Sequence, residues 1–122
     1  MGCRVEFALR DGMLRAVVSG KSSCADAAWI ARNIVEQAGE RIVKRVLIDV
    51  RRLADRVGTL GTLSMANGDP GKVSGYRVAV VDVDENDPYY VFHEIAAGKR
   101  GYALRYFGNA DAAADWLGRA ED

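Results

Sequence analysis

Few side chains in this sequence are of the types that do chemistry, and their spacing limits what they could do. The chain has one histidine, His93, and two cysteines, Cys3 and Cys24. A catalytic histidine needs a nucleophile or metal co-ligands beside it, and a zinc site needs several ligands at short, regular spacing. The sequence offers neither arrangement. We therefore expect no enzyme, no metal site and no cofactor, and we interpret His93 as an outward-facing residue on a helix surface.

A run of carboxylates in "DVDENDP" (82–88) comes closest to a cation site. Its members are Asp82, Asp84, Glu85 and Asp87. A calcium loop of the EF-hand type needs a glycine at its sharp turn and a glutamate at its last position, and this run has neither at the required spacing. The pattern instead indicates a turn in which Asp87 caps a helix that Pro88 begins.

The remaining candidate is the hydroxyl of Thr59 in "VGTLG" (57–61), a short way after the apolar run "RVLIDV" (45–50). Five glycines fall between positions 58 and 75. Each costs about 1 kcal/mol relative to alanine inside a helix, so a helix near 58–67 should be short and mobile. The loop is first of all the start of that helix, and Thr59 suits an ordinary cap.

Composition restricts the partners. The 122 residues fit one domain over positions 1–122, and 49% hydrophobic residues are enough for one core. Lysine and arginine (17) balance aspartate and glutamate (17), which argues against nucleic acid. We expect no transmembrane segment, because no run approaches 18 apolar residues, and no signal segment. These features favour the cytoplasm.

The elements that must position these residues follow from periodicity and turn signals. Alternation on both sides of Asp11-Gly12 predicts a β-hairpin over 4–20, with Gly20 ending its second strand. Helices are predicted at about 24–38, 58–67, 88–97 and 110–120, and strands at 45–50, 76–83 and 102–107. Gly39 should stop the first helix, Asn109 should cap the last, and Trp116 should lie in the core with Leu117. The fold class is α/β: a single mixed, mostly parallel five-stranded sheet with an N-terminal β-hairpin and about four helices.

This element order, with "VLIDV", "VAVV", "LRYF" and the ending "ADAAADWL", resembles the STAS domain, the SpoIIAA-like fold of bacterial anti-sigma-factor antagonists. The C-terminal ending resembles a bacterial STAS/SEC14-like subgroup whose fold is related to lipid-binding modules. The resemblance implies the mixed sheet described above and a regulatory, protein-binding role.

The resemblance also gives Thr59 a second interpretation. In the antagonists a strand ending in Leu-Asp is followed by Asp-Ser-Ser-Gly, whose serine is phosphorylated at the start of the next helix. Asp49 matches the strand aspartate, Val57 and Gly58 replace the Asp and the first Ser, and Thr59 is the nearest hydroxyl. A phosphate there would gain from free backbone N–H groups and would repel an acidic partner. Thr59 is therefore the phosphoacceptor candidate.

Two surfaces are candidates for binding. On the first helix, Trp29 falls opposite the apolar face, where it either contacts a partner or lies against a neighbouring loop. The second surface is a cleft between the glycine-rich helix and the helix near 88–97, which could take a lipid or remain a closed core. Its lining would comprise Leu60, Leu63, Met65, Tyr90 and Phe92, with His93 nearby.

The sequence thus predicts a small, non-catalytic STAS-like regulatory or protein-binding module. The alternative is a carrier or sensor of an apolar ligand such as a lipid, with transient, peripheral membrane association. A homodimer is a further expectation, because the hairpin leaves a sheet edge exposed.

Overall fold

A computed structural model describes residues 3–21, 24–54, 75–82 and 101–118. The elements are β1 (Cys3–Arg10), β2 (Met13–Lys21), α1 (Cys24–Glu40), β3 (Arg45–Ala54), β4 (Arg77–Val81), β5 (Ala103–Phe107) and α2 (Ala110–Gly118). The five strands form one sheet in chain order, β1 to β5. β1 is antiparallel to β2, and every later pair is parallel. The predicted mixed, mostly parallel five-stranded sheet is confirmed.

The hairpin is confirmed, but its second strand is longer than predicted. Asp11 and Gly12 both have positive φ (54° and 75°), as a tight two-residue hairpin turn requires. Gly20 does not end β2: it pairs with Cys3 on one side and with Leu53 on the other. A register irregularity between Val17 and Ser19 precedes it, and the φ of Gly20 is 98°. A glycine tolerates this bent backbone inside a strand, so here it permits a bend and does not end the strand.

The larger core lies on the face of the sheet that α1 covers, which we call the first face. Alternate residues of each strand point into it, and Ile34 and Ala38 of α1 close it, both 1% exposed or less. Its buried members are Leu14, Ala16, Val18, Ile34, Ala38, Val46, Ile48, Val50, Tyr76, Val78, Val80, Tyr102, Leu104 and Tyr106. β3 lies at the centre of the sheet order, as a continuously apolar strand should.

The end of α1 differs from the prediction. The helix continues past Gly39 to Glu40, and the amide of Val43 then donates to the Ala38 carbonyl at 3.0 Å. Ile42 has a φ of 54° and is 91% exposed. A residue with a left-handed backbone, that is, a positive φ, commonly ends a helix directly after the last turn, and that residue is normally glycine. A β-branched, exposed isoleucine there is strained.

A smaller core lies on the opposite, second face, against which α2 packs. It contains Met13, Leu47, Ala79, Val81, Ala113 and Leu117. Asn109 caps α2 as predicted, accepting a 2.7 Å hydrogen bond from the amide of Ala112. Leu117 is buried in this core as predicted, and Trp116, which was predicted to lie in the core with it, is partly buried and packs against the cluster. Its ring stands 5.7 Å from that of Phe107, centroid to centroid, and Arg77 covers it at 4.3 Å.

Two of the four predicted helices, α1 and α2, are observed. The stretches predicted as helices near 58–67 and 88–97 lie outside the described residues. None of the helices in the described part of the chain is both long and apolar enough to cross a membrane.

Candidate functional site

The candidate site lies in β3, from the middle of the strand toward its carboxyl end, where the strand carries an ion pair between Asp49 and Arg51. Arg51 Nη2 donates to Asp49 Oδ2 at 2.8 Å, and Arg51 Nε donates to Oδ1 at 3.0 Å. The backbone amide of Arg51 also donates to Oδ1 at 3.0 Å. Residues two apart on a strand point to the same face, which makes this two-pronged contact available within one strand. The carboxylate is thereby held in one orientation.

The neighbouring strands explain why Asp49 is largely shielded from water. Val17 of β2 and Val81 of β4 stand beside it in the sheet, on the second face. The Asp49 side chain is 15% exposed, whereas that of Arg51, beyond the end of β4, is 40% exposed. Asp49 therefore has an apolar neighbour on each side and an arginine that reaches it from the water-facing end of the strand.

The ionisation of both groups follows from this geometry. Burial raises the pKa of Asp49, but the hydrogen bonds from the Arg51 side chain and amide and the charges of Arg51 and Arg52 outweigh it, so the pKa falls below its usual 3.8. The same hydrogen bond and charge raise the pKa of Arg51. The pair stays ionised at neutral pH. Because the two charges cancel, it is suited to fixing the strand end and not to proton transfer.

Asp82 is a buried acid that the sequence did not single out. It follows β4, is 0% exposed, and its backbone amide donates to the Phe107 carbonyl at 2.9 Å. Asp82 belongs both to the strand predicted at 76–83 and to the carboxylate run of 82–88, and its burial agrees with the strand. The available signal was its position directly after the buried run "VAVV". The other three carboxylates lie outside the described residues.

Most of the predicted site residues cannot be placed. Outside the described residues lie Thr59, Leu60, Leu63, Met65, Tyr90, Phe92 and His93. Trp29 belongs to α1, but its side chain is not described. On the surface predicted to hold Trp29, Arg32 and Glu36 are exposed. In the described part of the chain, no three His, Cys, Asp or Glu side chains are grouped as a metal site would require.

The described backbone nevertheless brings two of the predicted segments to one edge of the sheet. β3 and β4 are neighbouring parallel strands, so both run toward the same edge of the sheet, and β3 extends to Ala54, past the point where Asp49 pairs with Val81 at the end of β4. The segment with Thr59 leaves β3 after Ala54, and the segment with Tyr90 leaves β4 after Asp82. In open α/β sheets, ligands commonly bind outside the carboxyl ends of the strands.

Comparisons with known proteins identify the fold. No family model and no curated protein sequence matches the chain. The chain is similar to the crystal structure of an anti-sigma factor antagonist from Mycobacterium paratuberculosis, with a TM-score of 0.59 and 18% identity over 94% of this chain and 93% of that one. It is also similar to an uncharacterised DUF3478-family protein with a SpoIIAA-like fold from Shewanella loihica, with a TM-score of 0.57 and 16% identity over 95% and 93% of the two chains.

The chain therefore has the SpoIIAA-like fold of STAS domains over nearly its whole length. The resemblance found in the sequence is confirmed at the level of the fold. The lipid-binding and SEC14-like parts of that resemblance remain predictions.

Proposed function

We propose that this chain is a small, single-domain, non-catalytic regulatory module that binds a protein partner at the carboxyl edge of its sheet. The observation that carries the proposal is the Asp49–Arg51 pair at the end of the central strand, from which the chain continues toward Thr59. The similar Mycobacterium protein is an anti-sigma factor antagonist, that is, a protein that acts on another protein. A protein partner is the simplest occupant for the same edge here.

The pair supports this role because it orients the strand end without presenting an unbalanced charge. A partner that docks there meets a fixed backbone and a guanidinium held in place by two hydrogen bonds. Preorganisation of this kind lowers the entropy cost of binding. Trp29 would supply an aromatic anchor on α1, as aromatic side chains do in many interfaces.

Thr59 would then be the regulatory position. A phosphate on its hydroxyl adds close to two negative charges next to the docking edge and would repel an acidic partner surface. In the absence of phosphate, Thr59 would serve as an ordinary helix cap. Both states are compatible with the cytoplasm, to which we assign the chain.

The test is affinity capture from the native host with the wild type, Thr59→Glu, Trp29→Ala and the control Arg105→Ala, an exposed residue of β5, followed by calorimetry on the purified pair. We expect one partner to be lost with the first two variants and retained with the control, all four proteins having unchanged circular dichroism. A partner retained equally by all four would refute the assignment of this edge.

The carrier alternative uses the cleft between Leu60, Leu63, Met65, Tyr90 and Phe92, and none of the described contacts favours it. Native mass spectrometry on gently purified protein separates the two functions. The mass of the chain alone agrees with the proposal. Extra mass that dissociates as a lipid would instead support the carrier function and the peripheral membrane association that a carrier implies. The same spectrum tests the predicted homodimer.

A further inference from the structure

Arginines are concentrated on the second face of the sheet, at the amino ends of the parallel strands. Arg10 of β1 pairs with Met13, a member of the second-face core, and Arg15 of β2 stands between Ala8 and Leu47. Arg45 of β3 pairs in turn with Arg77 of β4. Neighbouring strands are about 4.8 Å apart, so Arg10, Arg15 and Arg45 span only about 10 Å. We call these three residues the arginine patch.

The fourth arginine, Arg77, makes two contacts within the described part of the chain that the other three arginines lack. Its Nη2 donates to the Trp116 carbonyl at 2.7 Å, at the end of α2, and its guanidinium covers the Trp116 ring. No carboxylate in the described part of the chain forms an ion pair with the arginine patch. Arg45 stands directly beside Arg77 in the sheet, and like charges directly opposite each other are destabilising. The patch therefore favours an anionic neighbour from outside the described residues.

The surface beside the arginine patch is open. On the second face, all four side chains of β1, namely Arg4, Glu6, Ala8 and Arg10, are exposed. β1 is also the outermost strand, and no described strand pairs with its outer edge. A free edge can accept an added strand through backbone hydrogen bonds.

We propose that the arginine patch and the free edge of β1 form a docking surface for an acidic, extended segment of a protein partner. Alternate side chains of an added strand point to one face, so one acidic residue would lie beside Arg10 and the next on that face beside Ala8, with Arg15 behind it. Guanidinium groups bind carboxylates with two parallel hydrogen bonds and are only weakly hydrated, which suits this contact. Ala8 leaves room between the charges for small side chains.

The distribution of charge favours a protein over a membrane or nucleic acid. Glu6 is exposed on the same face, and Asp49 lies in the same row of the sheet, joined to Glu6 through Val17. A continuous polyanion would lie over the exposed Glu6 carboxylate as well as over the arginines. A peptide can instead carry its acidic residues only where it lies over the arginine patch, at the amino ends of the parallel strands. The docking surface is also separate from the carboxyl edge proposed above, so either proposal can fail alone.

The test is a nuclear magnetic resonance titration of the full ¹⁵N-labelled chain at low salt. The probe is an acetylated, amidated octapeptide with Glu at its first and third positions and Thr elsewhere, and the matched probe has Lys at those two positions. We expect saturable shifts of β1 and β2 amides with the acidic peptide alone. Affinity should fall about tenfold or more in Arg10→Gln/Arg15→Gln, fall with added salt, and stay unchanged in Arg32→Gln on α1.

Three outcomes would overturn the proposal. The first is the absence of saturable shifts in β1 and β2, and the second is equal affinity in the double variant whose spectrum shows an intact fold. The third is that the same arginines bind phosphatidylserine vesicles, a single-stranded oligonucleotide or a second copy of this chain while the acidic peptide does not bind.

Discussion

Arg51 and Asp49, two residues apart on one central strand, form an ion pair in which the guanidinium contacts both carboxylate oxygens, at 2.8 and 3.0 Å. Ion pairs two residues apart are rare on helices, where such residues diverge, and natural on strands, where they share a face. This contact defines the end of β3 in the proposed binding edge, and it makes that edge sensitive to pH.

Replacing Asp49 with asparagine should destabilise the fold near neutral pH and have less effect in acid. The folded-state pKa of Asp49 is lowered, so its carboxylate contributes stability that is present above 3.8 and is lost as the pH falls through the lower folded value. Because Arg51 is 40% exposed and screened by water, we expect about 0.5–1 kcal/mol at pH 7. Urea unfolding at pH 7 and at pH 3 measures it. Glu6→Gln, an exposed carboxylate in the same row, is the control, and a difference for Asp49→Asn that grows in acid would contradict the prediction.

Replacing Arg77 with methionine should weaken the packing of α2. The change keeps an apolar stem but removes the 2.7 Å hydrogen bond to the Trp116 carbonyl and the stacking on its ring. We expect the free energy of unfolding to fall by about 1–2 kcal/mol. The control is Arg105→Met, whose guanidinium stands farther from a ring, at 5.7 Å from Phe107, and for which we expect a loss of less than about 0.5 kcal/mol. Chemical denaturation followed by tryptophan fluorescence compares the two. Equal losses would mean that Arg77 does not anchor α2.

Two glycines that both have open space for a Cβ should respond in opposite directions to alanine. Gly39 lies within α1, and Gly12 has a φ of 75° in the hairpin turn. Gly39→Ala should stabilise the chain by about 0.5–1 kcal/mol, because alanine loses less backbone entropy in a helix. Gly12→Ala should destabilise it by about 1 kcal/mol or more through the left-handed backbone. The measurement is the melting temperature of each variant relative to the wild type, and a shift of the same sign in both would contradict this prediction.

Replacing Ile42 with glycine should stabilise the end of α1. Ile42 has a φ of 54° and is 91% exposed, so the change relieves strain and removes little packing. We expect a gain of up to about 1 kcal/mol, since the left-handed cost exceeds the entropy cost of glycine. Urea unfolding measures the change. The control is Val43→Gly, which should destabilise the chain because Val43 is partly buried and packs against the larger core on the first face. A loss with Ile42→Gly would show that the isoleucine packs against something in solution.

Local patterns were enough to predict much of the fold. The hairpin follows from alternation around Asp11 and Gly12, and the start of α2 follows from Asn109, because both depend on residues within a few positions. Errors arose where a local rule met a tertiary contact. Gly20 was expected to end β2, but pairing on both sides keeps it in the strand.

The candidate site was only partly accessible to sequence reasoning. Asp49 was matched to a family pattern, but its contact with Arg51 was not predicted, although their spacing on a strand was a sufficient signal. Thr59 and the residues predicted to line the cleft remain predictions. The roles of Arg77 and Trp116 require contacts between residues 39 positions apart, which periodicity cannot detect.

By itself, the sequence determined the type and order of the elements, because strand and helix periods and turn residues act over short distances. Only the tertiary structure decided how charge is distributed. Equal numbers of basic and acidic residues argued against a nucleic-acid partner but did not show where the charges lie, and the register of four strands brings Arg10, Arg15, Arg45 and Arg77 to one end of one face. Register depends on pairing between strands that are distant in the chain, and a total charge contains no information about which side chains that pairing places together.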